Sequence, residues 1–284
     1  MATAEQRSNE RLERRASPYD ALYEHWERNQ WSPLELDFEA DARSFRALSE
    51  DDRAGLIWIF AHRFHAEFNV ARLLAPFLAA APSWEVELLI ATQTADEHRH
   101  LQTVLRIYDL VFGIGGGIDA VREVADRSMD VVAETLYQRL DERVSLLARD
   151  PSPDLFLQAV VAYHLLGEGV VARTAQDLAA PQYERFGDFP GLAQGQRLVA
   201  RDEARHIGIG ISYCREQMRC DPERTRRLVE EVIDEFSVVA LELLSAAENG
   251  MAELVRSGYG VEPQAFYAEA LRLLDLRLRS IGFL

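Results

Sequence analysis

Two five-residue stretches have the residue types and spacing to hold a metal ion. Asp96-Glu97-His98-Arg99-His100 and Asp202-Glu203-Ala204-Arg205-His206 share the pattern D-E-x-R-H, each with a Glu three residues ahead of a His. On a helix, positions i and i+3 share a face with Cβ atoms about 5–6 Å apart, so each stretch can turn one carboxylate and one imidazole toward a metal. Chance explains one copy but not two. With 7 His and 28 Glu in 284 residues, random placement gives about 0.7 Glu-x-x-His, whereas a second copy that also repeats the Asp and the Arg points to a metal site.

Two further carboxylates complete a donor set. Glu67 and Glu168 each fall in the middle of an apolar, helix-patterned stretch, where an uncompensated Glu is rare. Four carboxylates and two imidazoles are hard to borderline ligands that suit iron or manganese, and four anionic charges balance two divalent cations with their bridging oxygens. Zinc would recruit more nitrogen or sulfur. Asp96 and Asp202 can each accept a hydrogen bond from a ligand imidazole, or pair instead with Arg99 or Arg205. Of the other histidines, His25 and His98 lack a partner at ligand spacing and His62 and His65 have only each other, so all four read as surface or packing residues. His164 lies one turn before Glu168 on the same face and reads as a core residue, with ligation as the lesser alternative.

The elements that must position these groups are helices. Apolar residues follow a helical period from Ser49 to about Ala79 around Glu67, from Trp84 to Phe112 around the first D-E-x-R-H stretch, from Leu155 to Leu178 around Glu168, and from Leu192 to Arg219 around the second. A helix from Ile118 to Arg149 carries no ligand set. Asp221-Pro222 opens another that runs to about Val255, and a last one spans Glu262 to Leu278. Breakers stand at Pro82-Ser83, Gly113 to Gly117, Asp150 to Pro153, Pro181 and Gly258-Tyr259-Gly260. Residues 1–16 read as a flexible polar lead-in, and residues 17–284 as a single helical domain. Nothing alternates with period two, so the expected fold class is all-α.

Composition removes several classes of function. A net charge of −16 opposes the phosphate-neutralising patch that nucleic acid requires. Apolar runs are interrupted by charge, so no membrane span is expected. The charged N-terminus lacks the apolar segment of a secretory signal, and Cys214 and Cys220 are too few for a disulfide framework, so a cytoplasmic location is expected.

The order Glu, Glu-x-x-His, Glu, Glu-x-x-His resembles the ferritin-like dinuclear proteins, in which a four-helix bundle core holds the metals and additional helices surround it. Together with Trp31-Ser32-Pro33 and Leu36-Asp37, it resembles the ribonucleotide reductase small subunit over about residues 20 to 220. That family's radical-bearing Tyr falls one turn after the first ligand His, where this chain has Val104. The chain stops almost directly after a helix, so docking to a reductase large subunit is not expected, and Trp31 reads as packing in preference to electron delivery.

A closer resemblance is to the ligand-binding oxidases related to that subunit. It rests on Asp150-Pro151-Ser152-Pro153, Tyr163 five residues before Glu168, the second D-E-x-R-H stretch, and Val70 three residues after Glu67. It implies metal ligands Glu67, Glu97, His100, Glu168, Glu203 and His206. It also implies a manganese and iron (or two-iron) centre that activates dioxygen, a long-chain fatty acid or similar apolar carboxylate at the metals, an ether cross-link between Tyr163 and Val70, and a homodimer. Phe64, Phe68 and Leu166 are candidates to line an acyl tunnel. Five residues back from Glu168 is about 140° around an ideal helix, so for Tyr163 to reach the site the phenol must lean inward or the helix must carry a local irregularity such as a π-bulge. The alternatives are a radical-generating small subunit, a fatty-acyl desaturase or hydroxylase, and a non-catalytic iron-binding protein.

Overall fold

The computed structural model describes residues 4–14, 17–128, 131–178, 188–246, 256 and 260–284, and among them every regular element is helical. In chain order these are α1 (Ala4–Arg14), α2 (Tyr19–Arg28), α3 (Glu39–Ala47), α4 (Glu50–Ala80), α5 (Trp84–Leu110), α6 (Gly117–Asp126), α7 (Val131–Ser145), α8 (Pro153–Leu178), α9 (Pro190–Cys220), α10 (Pro222–Ala246) and α11 (Pro263–Ile281).

The long helices begin where an oxygen takes up N–H groups that the first turn leaves unpaired. Ser49, Ser83 and Ser152 accept from Asp52 N, Val86 N and Leu155 N at the starts of α4, α5 and α8. α9 is capped from a distance: the buried Asp41 carboxylate on α3 accepts from Gly191 N at 2.9 Å and Leu192 N at 2.8 Å. The four helices that carry the candidate ligands pair as α4 on α5 and α8 on α9, with α9 also meeting α5. One apolar cluster gathers the later part of α4 with α8, α9 and α10, and a second gathers the early part of α4 with α5, α6, Phe38 and Phe45. The six donors lie among them.

Several boundaries differ from the periodicity. The helix expected from Ile118 to Arg149 is two, α6 and α7, followed by a 3-10 turn at Leu146–Ala148. α3 forms where no helix was predicted, while α4 runs through Pro76 to Ala80, close to the expected end. Within the expected lead-in, residues 4–14 form α1, which packs on α9 and α11 and buries Leu12 and Glu13. The ends expected at Pro181, Val255 and Gly258 lie outside the described residues. α8 is long and apolar enough to cross a bilayer, contrary to the reading of interrupted apolar runs, but 72% of its most apolar window is buried within the protein.

Candidate metal centre

Glu67 on α4, Glu97 and His100 on α5, Glu168 on α8, and Glu203 and His206 on α9 converge in the bundle, each no more than 6% exposed. They form two overlapping groups, Glu67, Glu97, His100 and Glu203, and Glu97, Glu168, Glu203 and His206, in each of which the donor atoms lie within 4.8 Å of one another. Glu97 and Glu203 belong to both groups, the position of bridging ligands. Glu67 with His100, and Glu168 with His206, stand at the two ends.

The donor atoms are aimed at one another without being bonded to one another. His100 Nδ1 lies 3.4 Å from Glu97, 3.5 Å from Glu67 and 3.6 Å from Glu203. His206 Nδ1 lies 3.1 Å from Glu97 and 3.7 Å from both Glu168 and Glu203. Yet both Nδ1 atoms, both Glu97 oxygens and one oxygen each of Glu168 and Glu203 are buried without an aligned hydrogen-bond partner. Buried polar atoms left this way are costly, and two divalent cations would satisfy them all. The residues therefore fit a dinuclear centre.

Protonation without metal is consistent with that fit. Burial opposes charge on His100, but the Glu67 carboxylate and the bond to Asp202 outweigh it and hold the imidazole well above its usual range; Glu97 and Asp96 do the same for His206. Burial and then the neighbouring Glu203 carboxylate push Glu168 well up, and burial with Glu97 raises Glu203. Burial also opposes charge on Glu97, but His206 and His100 outweigh it and draw its pKa down. Protons occupy the centre that cations would take.

Each imidazole is oriented by the aspartate of the other stretch. His206 Nε2 lies 3.1 Å from Asp96, and His100 Nε2 lies 3.3 Å from Asp202, leaving each Nδ1 free to ligate. The arginine pairings form as well. Asp96 accepts from Arg99 at 2.9 Å and from the fully buried Arg205 at 2.7 Å, and Arg99 also stands 3.5 Å from Asp202. Behind them, Trp31 Nε1 donates to Asp202 at 2.7 Å and Trp26 Nε1 to Asp96 at 2.9 Å. Trp31 thus does more than pack. Trp26 was not legible in sequence, because its partner is 70 positions away.

His164 is not among the donors. Its Nε2 contacts Gln93 Oε1 at 2.9 Å, and Gln93 Nε2 donates to Glu168 Oε1 at 2.8 Å, so the histidine orients the residue that holds Glu168. Burial drives the His164 pKa down to about 3, keeping the ring neutral. Gln93 lies one turn before Glu97 on the same face, the one clue that sequence offered. Three of the other histidines stay apart from the donors, as their spacing implied: His62 meets Trp58, His65 meets Asp126, and His98 bonds the Thr94 carbonyl at the surface.

Of the two routes open to Tyr163, the structure has the local irregularity. α8 is an α-helix over Pro153–Val160, becomes a π-helix over Val161–Ala172, and returns to α. Where hydrogen bonds join residues five apart, Tyr163 and Glu168 fall on the same side of the helix. The Tyr163 hydroxyl lies 3.5 Å from the Val70 backbone oxygen. Burial, and then the surrounding carboxylates, raise its pKa well above the phenol range, so it carries its proton. Val104 is buried beside His100, lining a cavity of about 10 Å³ with Phe60, Arg63 and Gln196. That is room for about one water. Phe64 and Phe68 stack on each other, with ring centroids 5.6 Å apart.

The sequence model of the family "Ribonucleotide reductase, small chain" matches residues 17–249. Among solved structures, the chain is similar to an R2-like ligand-binding oxidase with aerobically reconstituted metal cofactor after photoconversion, at 23% identity and a TM-score of 0.81 over 94% of both chains. It is similar to a tyrosine-to-phenylalanine variant of such an oxidase with aerobically reconstituted Mn/Fe cofactor, at 24% identity and a TM-score of 0.81, again over 94% of both chains. A glycine-to-leucine variant with anaerobically reconstituted Mn/Fe cofactor matches at 24% identity and a TM-score of 0.80 over 94% of both chains. At these identities the likeness is one of fold.

Proposed function

The chain belongs to the ribonucleotide reductase small-chain family, and from that premise we propose that it is a dioxygen-activating oxidoreductase of the ligand-binding oxidase type. Glu67, Glu97, His100, Glu168, Glu203 and His206 are its metal ligands. When bound, a manganese and an iron, or two irons, would supply the dioxygen chemistry, accepting electrons that the residues around them give up. A long-chain fatty acid or similar apolar carboxylate is the proposed ligand class, since a carboxylate suits these cations and apolar packing surrounds them. The water-sized cavity at His100 means that an acyl chain would need the packing at Phe64, Phe68 and Leu166 to open.

The observation that carries this reading is the pair of donor groups sharing Glu97 and Glu203, with the Tyr163 hydroxyl 3.5 Å from the Val70 backbone oxygen. The proposed cross-link joins Tyr163 Oη to Val70 Cβ. The hydroxyl and the Cβ–H each lose their hydrogen, so two protons and two electrons leave, and dioxygen is the acceptor. The chain's own contribution is positional. The π segment swings the phenol toward α4, burial keeps it protonated and water-free, and the Asp96 and Asp202 bonds fix the two imidazoles.

A radical-storing small subunit is less well supported, because Val104 provides no phenol after His100. The test is peptide mass spectrometry of protein loaded anaerobically with iron and manganese, before and after air. A loss of two hydrogens on linked peptides containing Val70 and Tyr163 is expected. Metal-loaded protein that consumes dioxygen with no such mass change would overturn the cross-link and leave an oxidase acting on an external substrate.

A further inference from the structure

Far from the donors in sequence, a buried arginine is inserted into the helix that carries Glu168. Arg277 on α11 is 0% exposed, and each of its three guanidinium nitrogens donates: Nε to Gly169 O at 3.0 Å, Nη1 to Glu13 O at 2.8 Å, and Nη2 to the Glu13 carboxylate at 3.3 Å. The other Glu13 oxygen accepts from Arg173 on α8 at 2.9 Å. An Arg–Glu–Arg cluster in which Arg277 and Glu13 are buried and Arg173 half-buried is seldom held for stability alone, because desolvation offsets most of the attraction. Its location asks for another explanation.

That explanation lies in the carbonyl it meets. In an α-helix the N–H of Arg173 would donate to Gly169 O, four residues back. Here Arg173 N reaches Glu168 O and Val170 O and passes over Gly169 O. Arg277 Nε occupies the bypassed carbonyl, which a buried helix could not leave unpaired without cost. The site is also shaped for it. A Cβ on residue 169 would stand 3.0 Å from Arg277 Nε and 3.0 Å from His164 O, so the residue directly after Glu168 must be small for the guanidinium to enter.

We propose that Arg277, gripped by Glu13, is a positioning residue for Glu168: by filling the carbonyl bypassed at Gly169 it fixes the π register that turns Glu168 and Tyr163 toward the second donor group. α1 and α11 then act together as a latch on α8. Glu13 and Arg277 both lie outside residues 17–249, so the latch is built from parts of the chain beyond the family match. The inference rests on reading Glu168 as a ligand, and its test separates the two.

The experiment uses the full chain in three forms, wild type, Arg277→Met and Gly169→Ala, the last keeping the cation but crowding it from its carbonyl. Hydrogen exchange on metal-free protein reads the latch directly. Amides of residues 163–174 should exchange at least about tenfold faster in both variants, relative to those of α5 in the same sample. Mn(II) binding then reads the consequence, with two ions and a spin-coupled signal expected for wild type, against one ion and an isolated six-line signal for the variants. A general loss of stability would speed exchange in α5 equally and leave two ions bound. Local exchange and Mn(II) stoichiometry unchanged in the folded variants would overturn the latch, and if Arg277→Met does not fold, Gly169→Ala decides alone. If wild type itself binds no Mn(II), the metal reading fails while exchange still judges Arg277.

Discussion

Asp96→Asn should be among the most damaging single substitutions around the centre that leave its six donors intact. Asp96 is fully buried and accepts from Trp26, Arg99 and Arg205, with His206 Nε2 at 3.1 Å. An amide of the same shape has one acceptor oxygen, so its NH2 must face an arginine or a ring N–H. The heaviest loss is at Arg205, 1% exposed, whose other bond within this cluster goes to Thr92 at 3.0 Å. Stripping a buried cation of its partner costs about 3–5 kcal/mol. A chain of this length unfolds with an entropy of about 0.6 kcal/mol/K near 60 °C, so the melting temperature should fall by about 5–8 °C. Asp202→Asn is the control. Both variants loosen the hold on one buried imidazolium, His206 or His100, but the arginines beside Asp202, Arg99 and Arg201, are 13% and 12% exposed, and Arg99 keeps Asp96, so a smaller loss than that of Asp96→Asn is expected. The assay is thermal unfolding of metal-free wild type and both variants by circular dichroism at neutral pH. Equal losses in the two variants, or a smaller one in Asp96→Asn, would show that burial of Arg205 is not what makes Asp96 costly to replace.

Gly210→Ala would place a Cβ 2.4 Å from His164 Cβ, forcing the ring away from Gln93. Such overpacking costs about 1–3 kcal/mol, so denaturant unfolding should show a lower midpoint at an unchanged slope, and Mn(II) should bind more weakly because Glu168 loses its orienting partner. In metal-free protein His100 and His206 hold pKa values raised above 6.5, and Glu168 and Glu203 above 4.5. Raised values give stability that is complete below the unfolded pKa and is lost as pH rises through the folded one. The metal-free melting temperature should therefore fall as pH rises above 6.5, while the gain on adding Mn(II) grows, since cations no longer compete with protons. His164 works in the opposite sense but only below 6.5, because its pKa is lowered to about 3. Melts with and without Mn(II) as pH rises above 6.5 check the sign, and a gain that shrinks with pH would contradict it.

The sequence alone singled out the candidate donors, because helical geometry links Glu and His at i and i+3 without reference to the rest of the fold. Glu97 with His100 and Glu203 with His206 are proposed from their spacing, and Glu67 and Glu168 from their place in apolar helical runs. What it left open depended on contacts between distant positions. Whether Asp96 and Asp202 would bind imidazole or arginine was undecided; the tertiary structure does both, each Asp crossing to the histidine of the other stretch. The crossing exists because α5 and α9 lie side by side, which no local pattern encodes. Tyr163 could be assigned a role only by resemblance, since ideal α geometry turns it away; the π segment that brings it round is marked by no residue of its own. Its cause lies partly elsewhere, in a small residue at Gly169 and an arginine 108 positions later. α3 and α1 were missed for a related reason: they are short, and burial on a neighbour stabilises them where propensity alone would not.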